Sequence, residues 1–321
     1  MISDRAPTPA VPDEAGPTAA ILTCSFRGDF DHCRLLCESV DRFVAEPIEH
    51  RLYVPTADLG LFAALEGGRR KIVSEDTLLP WWMKRLPMPP PKWRKFFGLP
   101  RRNLYLTPFS APVRGWIAQQ MMKIAAALQA TTDVVVHVDS DTVFIRPLHI
   151  DRLIRADGRA RLYQSPGHQK LDSHRGWHRA ASKLFGLRPD EFHSGDYIDS
   201  LVVWRPDVVR AMAGRIAEVG GRDWRNVLAR QQQISEYILY GVFADQVLGL
   251  DAARLVAEPF TLCHSKWTGD FSADGAIEDF VAALRPEHVV CLIQSTIPLS
   301  MDERRALLAR IADHAAASDA A

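Results

Sequence analysis

Two hydrophobic rhythms alternate along this chain. Ala19-Ala20-Ile21-Leu22-Thr23-Cys24 is a short continuous apolar run, as a strand buried on both faces requires, and the loop Ser25-Phe26-Arg27-Gly28-Asp29 ends it. Cys33, Leu36, Cys37, Val40 and Phe43 then recur with helical spacing, and Asp29 or Asp31 is placed to cap the free N–H groups of that helix. The same alternation continues with a strand over His50-Arg51-Leu52-Tyr53-Val54, a helical stretch from Asp58 to Leu65 and a strand at Lys71-Ile72-Val73. A helix is expected around Val113 to Ala130, and Asp133-Val134-Val135-Val136-His137-Val138 is the most continuous apolar run of the chain. Further on, a strand is expected at Leu201 to Trp204, then a helix opened by Pro206, a strand at Val289 to Ile293 and a last helix from Met301 to Ala317. Strand and helix in alternation predict an α/β fold of Rossmann-like type, a mostly parallel sheet flanked by helices.

The rhythm fails in two places. The first 17 residues hold several prolines and small or acidic residues, and read as a disordered tail. Between Trp81 and Arg102, five prolines forbid long regular structure, so residues from about 78 to 112 read as an insertion in a domain spanning 18–300. This insertion sets Lys84, Arg85, Lys92, Arg94, Lys95, Arg101 and Arg102 among Trp81, Trp82, Trp93, Phe96 and Phe97, with no acid between. Such a mixture suits peripheral contact with an anionic membrane or a lipid-linked or anionic acceptor. It also suits a lid whose rings pack down while its charges stay in water.

Composition narrows the partners. With 39 basic and 39 acidic side chains the formal charge is zero, and no global field points to nucleic acid. No apolar stretch approaches the roughly 20 residues that cross a bilayer, which predicts a cytoplasmic protein, at most peripheral at the inner membrane face. Five scattered cysteines without a Cys-x-x-Cys pair read as buried free thiols.

The chemistry concentrates where the strongest strand stops. Asp139-Ser140-Asp141 follows Val138 directly, at the carboxyl end of a central strand, where open α/β sheets place ligands. Two carboxylates there suit Mn²⁺ or Mg²⁺, which take oxygen donors and keep positions open for phosphates. An Asp-x-Asp can equally end a strand and cap the next turn. In the preceding helix, Trp116, Gln120 and Lys123 share one narrow stripe while Ile117, Met121, Ile124 and Leu128 share another. Lys123 can meet a phosphate, and Gln120 a sugar or base. Glu236, in Ser235-Glu236-Tyr237-Ile238-Leu239-Tyr240-Gly241, is expected to be desolvated toward useful base strength, or else paired with a nearby Arg such as Arg230. Asp196, in His193-Ser194-Gly195-Asp196-Tyr197, is a second loop carboxylate.

The segment Val138-Asp139-Ser140-Asp141-Thr142-Val143-Phe144-Ile145-Arg146-Pro147 resembles the Asp-x-Asp region of bacterial GT-A glycosyltransferases. Gly115-Trp116, Gln119-Gln120, Lys123 and Ser235-Glu236-Tyr237 with Tyr240-Gly241 extend the resemblance to a poorly characterised branch of that group. It implies a GT-A fold and a nucleoside-diphosphate sugar whose diphosphate and cation meet Asp139, Ser140 and Asp141. It also implies a hydroxyl acceptor, either a glycan or lipid-linked. Further implied are nucleoside contacts at Thr23, Ser25 and Arg27, a third metal ligand at His264 and a phosphate contact at Lys266. The His-x-x-Gly-x-x-Lys spacing some of these enzymes use is absent around Cys263-His264-Ser265-Lys266-Trp267. Two other readings stay open. An apolar strand followed by Asp-x-Asp also resembles the haloacid dehalogenase phosphotransferases, with Asp139 as nucleophile. An inactive GT-A fold that binds glycans would need no chemistry at all.

Overall fold

The computed structural model describes residues 16–45, 47–86, 103–165, 172–189, 192–193 and 195–320. Residues 1–15 of the expected tail lie outside these residues, as do Lys92, Trp93, Arg94, Lys95, Phe96, Phe97, Arg101 and Arg102 of the insertion.

The first half is a repeating strand and helix. β1 (Ala19–Cys24) leads into α1 (Phe30–Phe43), β2 (Glu49–Val54), the short α2 (Leu59–Phe62) and β3 (Arg70–Ser74). The chain then makes β4 (Lys84–Arg85), β5 (Leu104–Leu106) and β6 (Val113–Arg114), a small antiparallel sheet, before α3 (Gly115–Gln129) returns it to the main sheet as β7 (Val134–Val138). β8 (Thr142–Phe144), β9 (Ala160–Tyr163), α4 (Asp172–Phe185), β10 (Leu201–Trp204), α5 (Pro206–Gly220), α6 (Trp224–Leu228) and α7 (Glu236–Val242) follow. Last come β11 (Leu255–Glu258), β12 (Cys263–Lys266), α8 (Ala276–Ala282), β13 (Val290–Ile293) and α9 (Met301–Ala320).

The main sheet has five strands in the order β10-β7-β1-β2-β3. β1 pairs in parallel with β2 and with β7, and β2 with β3, while β10 runs antiparallel to β7. Connections leave β1 in one direction through β2 and β3, then cross back to β7 on its other side. This reversal opens a crevice at the carboxyl ends of β1 and β7, the place where such sheets take ligands. Both strands are buried along most of their length, which is why they read as apolar runs. Thr23 on β1 is a polar exception, and its Oγ1 lies 3.1 Å from Nε2 of His50 on β2; both residues are fully buried. Burial holds His50 down to about 3, so it is neutral.

A second sheet, β12-β13-β8, lies beyond the Asp-x-Asp turn, with β12 parallel and β8 antiparallel to β13. Its apolar residues join α9 in a separate core that includes Val143, Ile145, Cys291, Ile293, Leu307 and Ile311. α9 is therefore packed on the body of the protein by Leu307, Ile311 and Ala315, with Arg146 paired to Asp319 at 2.9 Å. All five cysteines are free.

Candidate functional site

The crevice at β1 and β7 is a two-lobed cleft. The smaller lobe, of about 330 Å³, is lined by Asp139, Ser140 and Asp141 together with Asp29, Gln120, Lys123 and Glu236. The larger, of about 780 Å³, runs over Ser25, Arg27, Glu75, Arg85 and Tyr105. Cys24, Asp29, Trp116 and Gln119 line both, which makes the two continuous.

Three elements converge on Lys123. It stands on α3, which is buried along most of its length, and its ammonium lies 2.9 Å from Asp139 Oδ1 after β7 and 3.0 Å from Glu236 Oε1 at the start of α7. It also donates to the Tyr237 hydroxyl at 2.7 Å. Burial alone pulls the lysine pKa down, but Asp139, the Tyr237 oxygen and Glu236 outweigh it and hold the ammonium well above its usual range. Lys123 is thus a fixed positive charge. Removing it would leave buried carboxylates uncompensated, a change that typically costs about 3–5 kcal/mol. Glu236 is held there by the geometry of its helix: Ser235 caps α7, its hydroxyl accepting from Ile238 N, and turns the first residue of the helix inward.

Asp141 meets different forces. Burial first, and then the charge of Asp139, push its carboxyl up to about 6, against a bond from the Ser295 N–H at 2.8 Å. Asp29 is likewise raised by burial and by Asp139, though the Ser140 hydroxyl eases it. Three carboxylates therefore repel one another across a small space, the situation that a bound cation relieves. Among the described residues no three His, Cys, Asp or Glu side chains form a metal cage by themselves. Two carboxylates fit Mg²⁺ or Mn²⁺ all the same, since such ions complete their shell with water and phosphate oxygens.

Residues 18–314 match a family of unknown function, DUF6492. The chain belongs to the DUF6492 family. No curated protein matches it.

In this DUF6492 chain the residues expected at the site divide clearly. Asp139, Ser140, Asp141, Gln120, Lys123 and Glu236 meet in the smaller lobe, and Ser25 and Arg27 line the larger one. Glu236 is paired with Lys123, not with Arg230, which donates to the Phe109 carbonyl instead. Arg27 is anchored by Asp58, its Nε lying 2.7 Å from Oδ1.

Four expected residues lie outside the lining of both lobes. Thr23 is fully buried and its hydroxyl is paired with His50. His264 stacks on Phe280 with ring centroids 4.1 Å apart, and its Nε2 sits 2.7 Å from the Phe280 carbonyl; it does not line the cleft with Asp139 and Asp141. Lys266 also stays outside the lining, its Nζ 5.1 Å from the centre of the Phe271 ring. Asp196 is 2% exposed, with its carboxylate engaged by His174 and by the Ile198 N–H, and it too lines neither lobe.

The smaller lobe is also lined by Asp29, Tyr237 and Trp177, which no expected site role marked, and by Trp267 of the Cys263–Trp267 cluster. Asp29 was read as the cap of α1, yet its side chain makes no cap bond. Its place in the loop that leaves the carboxyl end of β1 was the available signal. Trp177 comes from a distant stretch of chain, and no local pattern marks it.

Proposed function

We propose that this protein is a metal-dependent glycosyltransferase of GT-A type, moving a sugar from a nucleoside-diphosphate sugar to a hydroxyl acceptor. One observation carries the reading: the Asp139 and Asp141 carboxylates and the Lys123 ammonium share a lobe at the switch point of a mostly parallel sheet. Asp139 and Asp141 hold Mn²⁺ or Mg²⁺. When bound, the cation offsets the charge that develops on the leaving diphosphate. Lys123 adds a fixed positive charge to the same lobe. Glu236 takes the proton of the acceptor hydroxyl, and Ser25 and Arg27 border the nucleoside. The acceptor is a glycan or a lipid-linked sugar. The exposed Trp81 and Lys84, at the described start of the basic aromatic insertion, make an anionic membrane a candidate docking partner. Among the described residues no helix is long and apolar enough to cross a membrane.

Calorimetry with Mn²⁺ and a panel of nucleoside diphosphates tests the reading. Metal-dependent binding is expected, weakened at least tenfold by Asp139→Asn or Asp141→Asn with the fold retained; binding indifferent to metal and to both substitutions would sink it. The ion pair between Lys123 and Asp139 also favours a second reading, a phosphotransferase with Asp139 as nucleophile. Trapping of an acyl phosphate on Asp139, without turnover of any sugar nucleotide, would decide for that one.

A further inference from the structure

Gln120 is the one lining residue of the smaller lobe whose polar atoms are both buried and idle. The side chain is 2% exposed, and neither the amide nitrogen nor the amide oxygen meets a partner among the described residues. A buried amide left this way destabilises the protein until a ligand pairs with it. Three indoles line the same lobe. Trp116 and Trp177 lie with ring centroids 5.6 Å apart at a tilt of 39°, and Trp116 and Trp267 are each 40% exposed. Trp177 is half-buried and also packs on His174, with centroids 4.8 Å apart, so it backs Trp116, whose open ring presents an electron-rich face to the C–H groups of a ligand.

The amide and the rings together describe their ligand. A glutamine amide offers donors and an acceptor in one plane. Two adjacent hydroxyls, each able to donate and accept, answer it from a single edge. A ring that carries such hydroxyls at its rim and C–H groups on its face is a sugar. Charge selects further: among the described lining residues Asp29, Asp139, Asp141 and Glu236 face one ammonium, Lys123, and the proposed divalent cation gives its remaining positions to the diphosphate, which leaves no positive charge over for an acidic sugar. An anionic ring is repelled.

We propose that Gln120, Trp116 and Trp177 form a subsite for a neutral pyranose ring bearing vicinal hydroxyls. The inference rests on the sugar-transfer reading and names the class of sugar. The ring belongs either to the donor or to the acceptor glycan, and one experiment separates them. In the first arm, calorimetry with Mn²⁺ compares each nucleoside diphosphate with the same nucleotide carrying glucose, galactose, mannose or glucuronic acid. In the second arm, neutral oligosaccharides are titrated into the protein saturated with Mn²⁺ and nucleoside diphosphate.

A neutral ring is expected to add about tenfold or more in affinity in one arm, which identifies its source, and glucuronic acid is expected to add none. Gln120→Leu, which keeps the volume and removes the hydrogen bonds, and Trp177→Ala should each abolish that gain while leaving the affinity for the bare nucleoside diphosphate unchanged. Trp177→Phe should keep part of it. If nucleoside diphosphates bind but neutral rings add nothing in either arm, or the variants keep the full gain, or the uronic acid binds equally well, the subsite is refuted. If no nucleoside diphosphate binds with Mn²⁺, the sugar-transfer reading itself falls, an outcome distinct from the loss of the sugar gain.

Discussion

Asp141 shows how a residue suited to the proposed cation can cost stability. Its carboxyl, raised to about 6 by burial and by Asp139, binds its proton more tightly folded than unfolded. That contribution to stability is complete below the ordinary carboxylate range near 4 and is lost as pH rises through about 6. Asp141→Asn should therefore raise the melting temperature at pH 7.5 but not at pH 4, by an amount equivalent to roughly 1–2 kcal/mol once partial exposure is discounted. Scanning calorimetry at the two pH values checks this, and an equal effect at both would contradict it. The proton also competes with the cation. Mn²⁺ affinity should fall by up to about tenfold per pH unit below 6 and level off above it, which titration calorimetry across pH 5–8 measures. At this scale the pair Asp139 and Asp141 was legible from residue order alone, since a buried strand delivers whatever follows it to the sheet edge. The fates of Thr23 and His264 were not. A partner 27 residues away takes one, and a carbonyl 16 residues away the other, and neither separation leaves a local trace.

Among the elements, the strands with apolar runs announced themselves, β2 and β3 among them, while β9 and β12 did not. β1, β7 and β13 are continuous apolar runs, while β12 reads Cys, His, Ser, Lys and β9 reads Ala, Arg, Leu, Tyr, patterns shared with loops and helix segments. The antiparallel setting of β10 was also hidden, because hydrophobicity carries no direction. Pro206 at the first turn of α5 and Gly221 just past its end, with φ of 62°, mark that helix by backbone chemistry instead. Gly241 in α7 has a different reason to be glycine: a Cβ there would lie 2.1 Å from the Tyr197 ring. The ring has little freedom to yield, as its hydroxyl donates to Asp245 at 3.1 Å. Gly241→Ala should destabilise by about 1–3 kcal/mol through overpacking, despite the better helix propensity of alanine. Urea unfolding measures this, and an unchanged midpoint would show that the helix and ring can separate at no cost.

Over the whole molecule, the last helix reaches the cleft through one arginine. Arg304 on α9 is 2% exposed and donates to the carbonyls of Ile293, Gln294 and Ile297, the segment that presents the Ser295 N–H to Asp141. Arg304→Met should cost about 2–4 kcal/mol, because it leaves buried carbonyls unpaired, and it should also weaken Mn²⁺ binding by loosening the support of Asp141. Arg305→Met, which breaks only an exposed pair with Glu38, should change stability by less than about 1 kcal/mol. Denaturation and metal titration of both variants separate the two roles; equal effects would show that Arg304 has no special part. The residue order alone determined the alternating α/β plan, the burial of the central strands and the arrival of two carboxylates at a strand end, since periodicity and burial act over a few neighbours. Tertiary structure decided which partners those carboxylates meet. Asp29, Lys123, Glu236, Trp177 and the Ser295 N–H come from five separated segments, and only the crossing of the chain from β3 back to β7 brings them to one cleft.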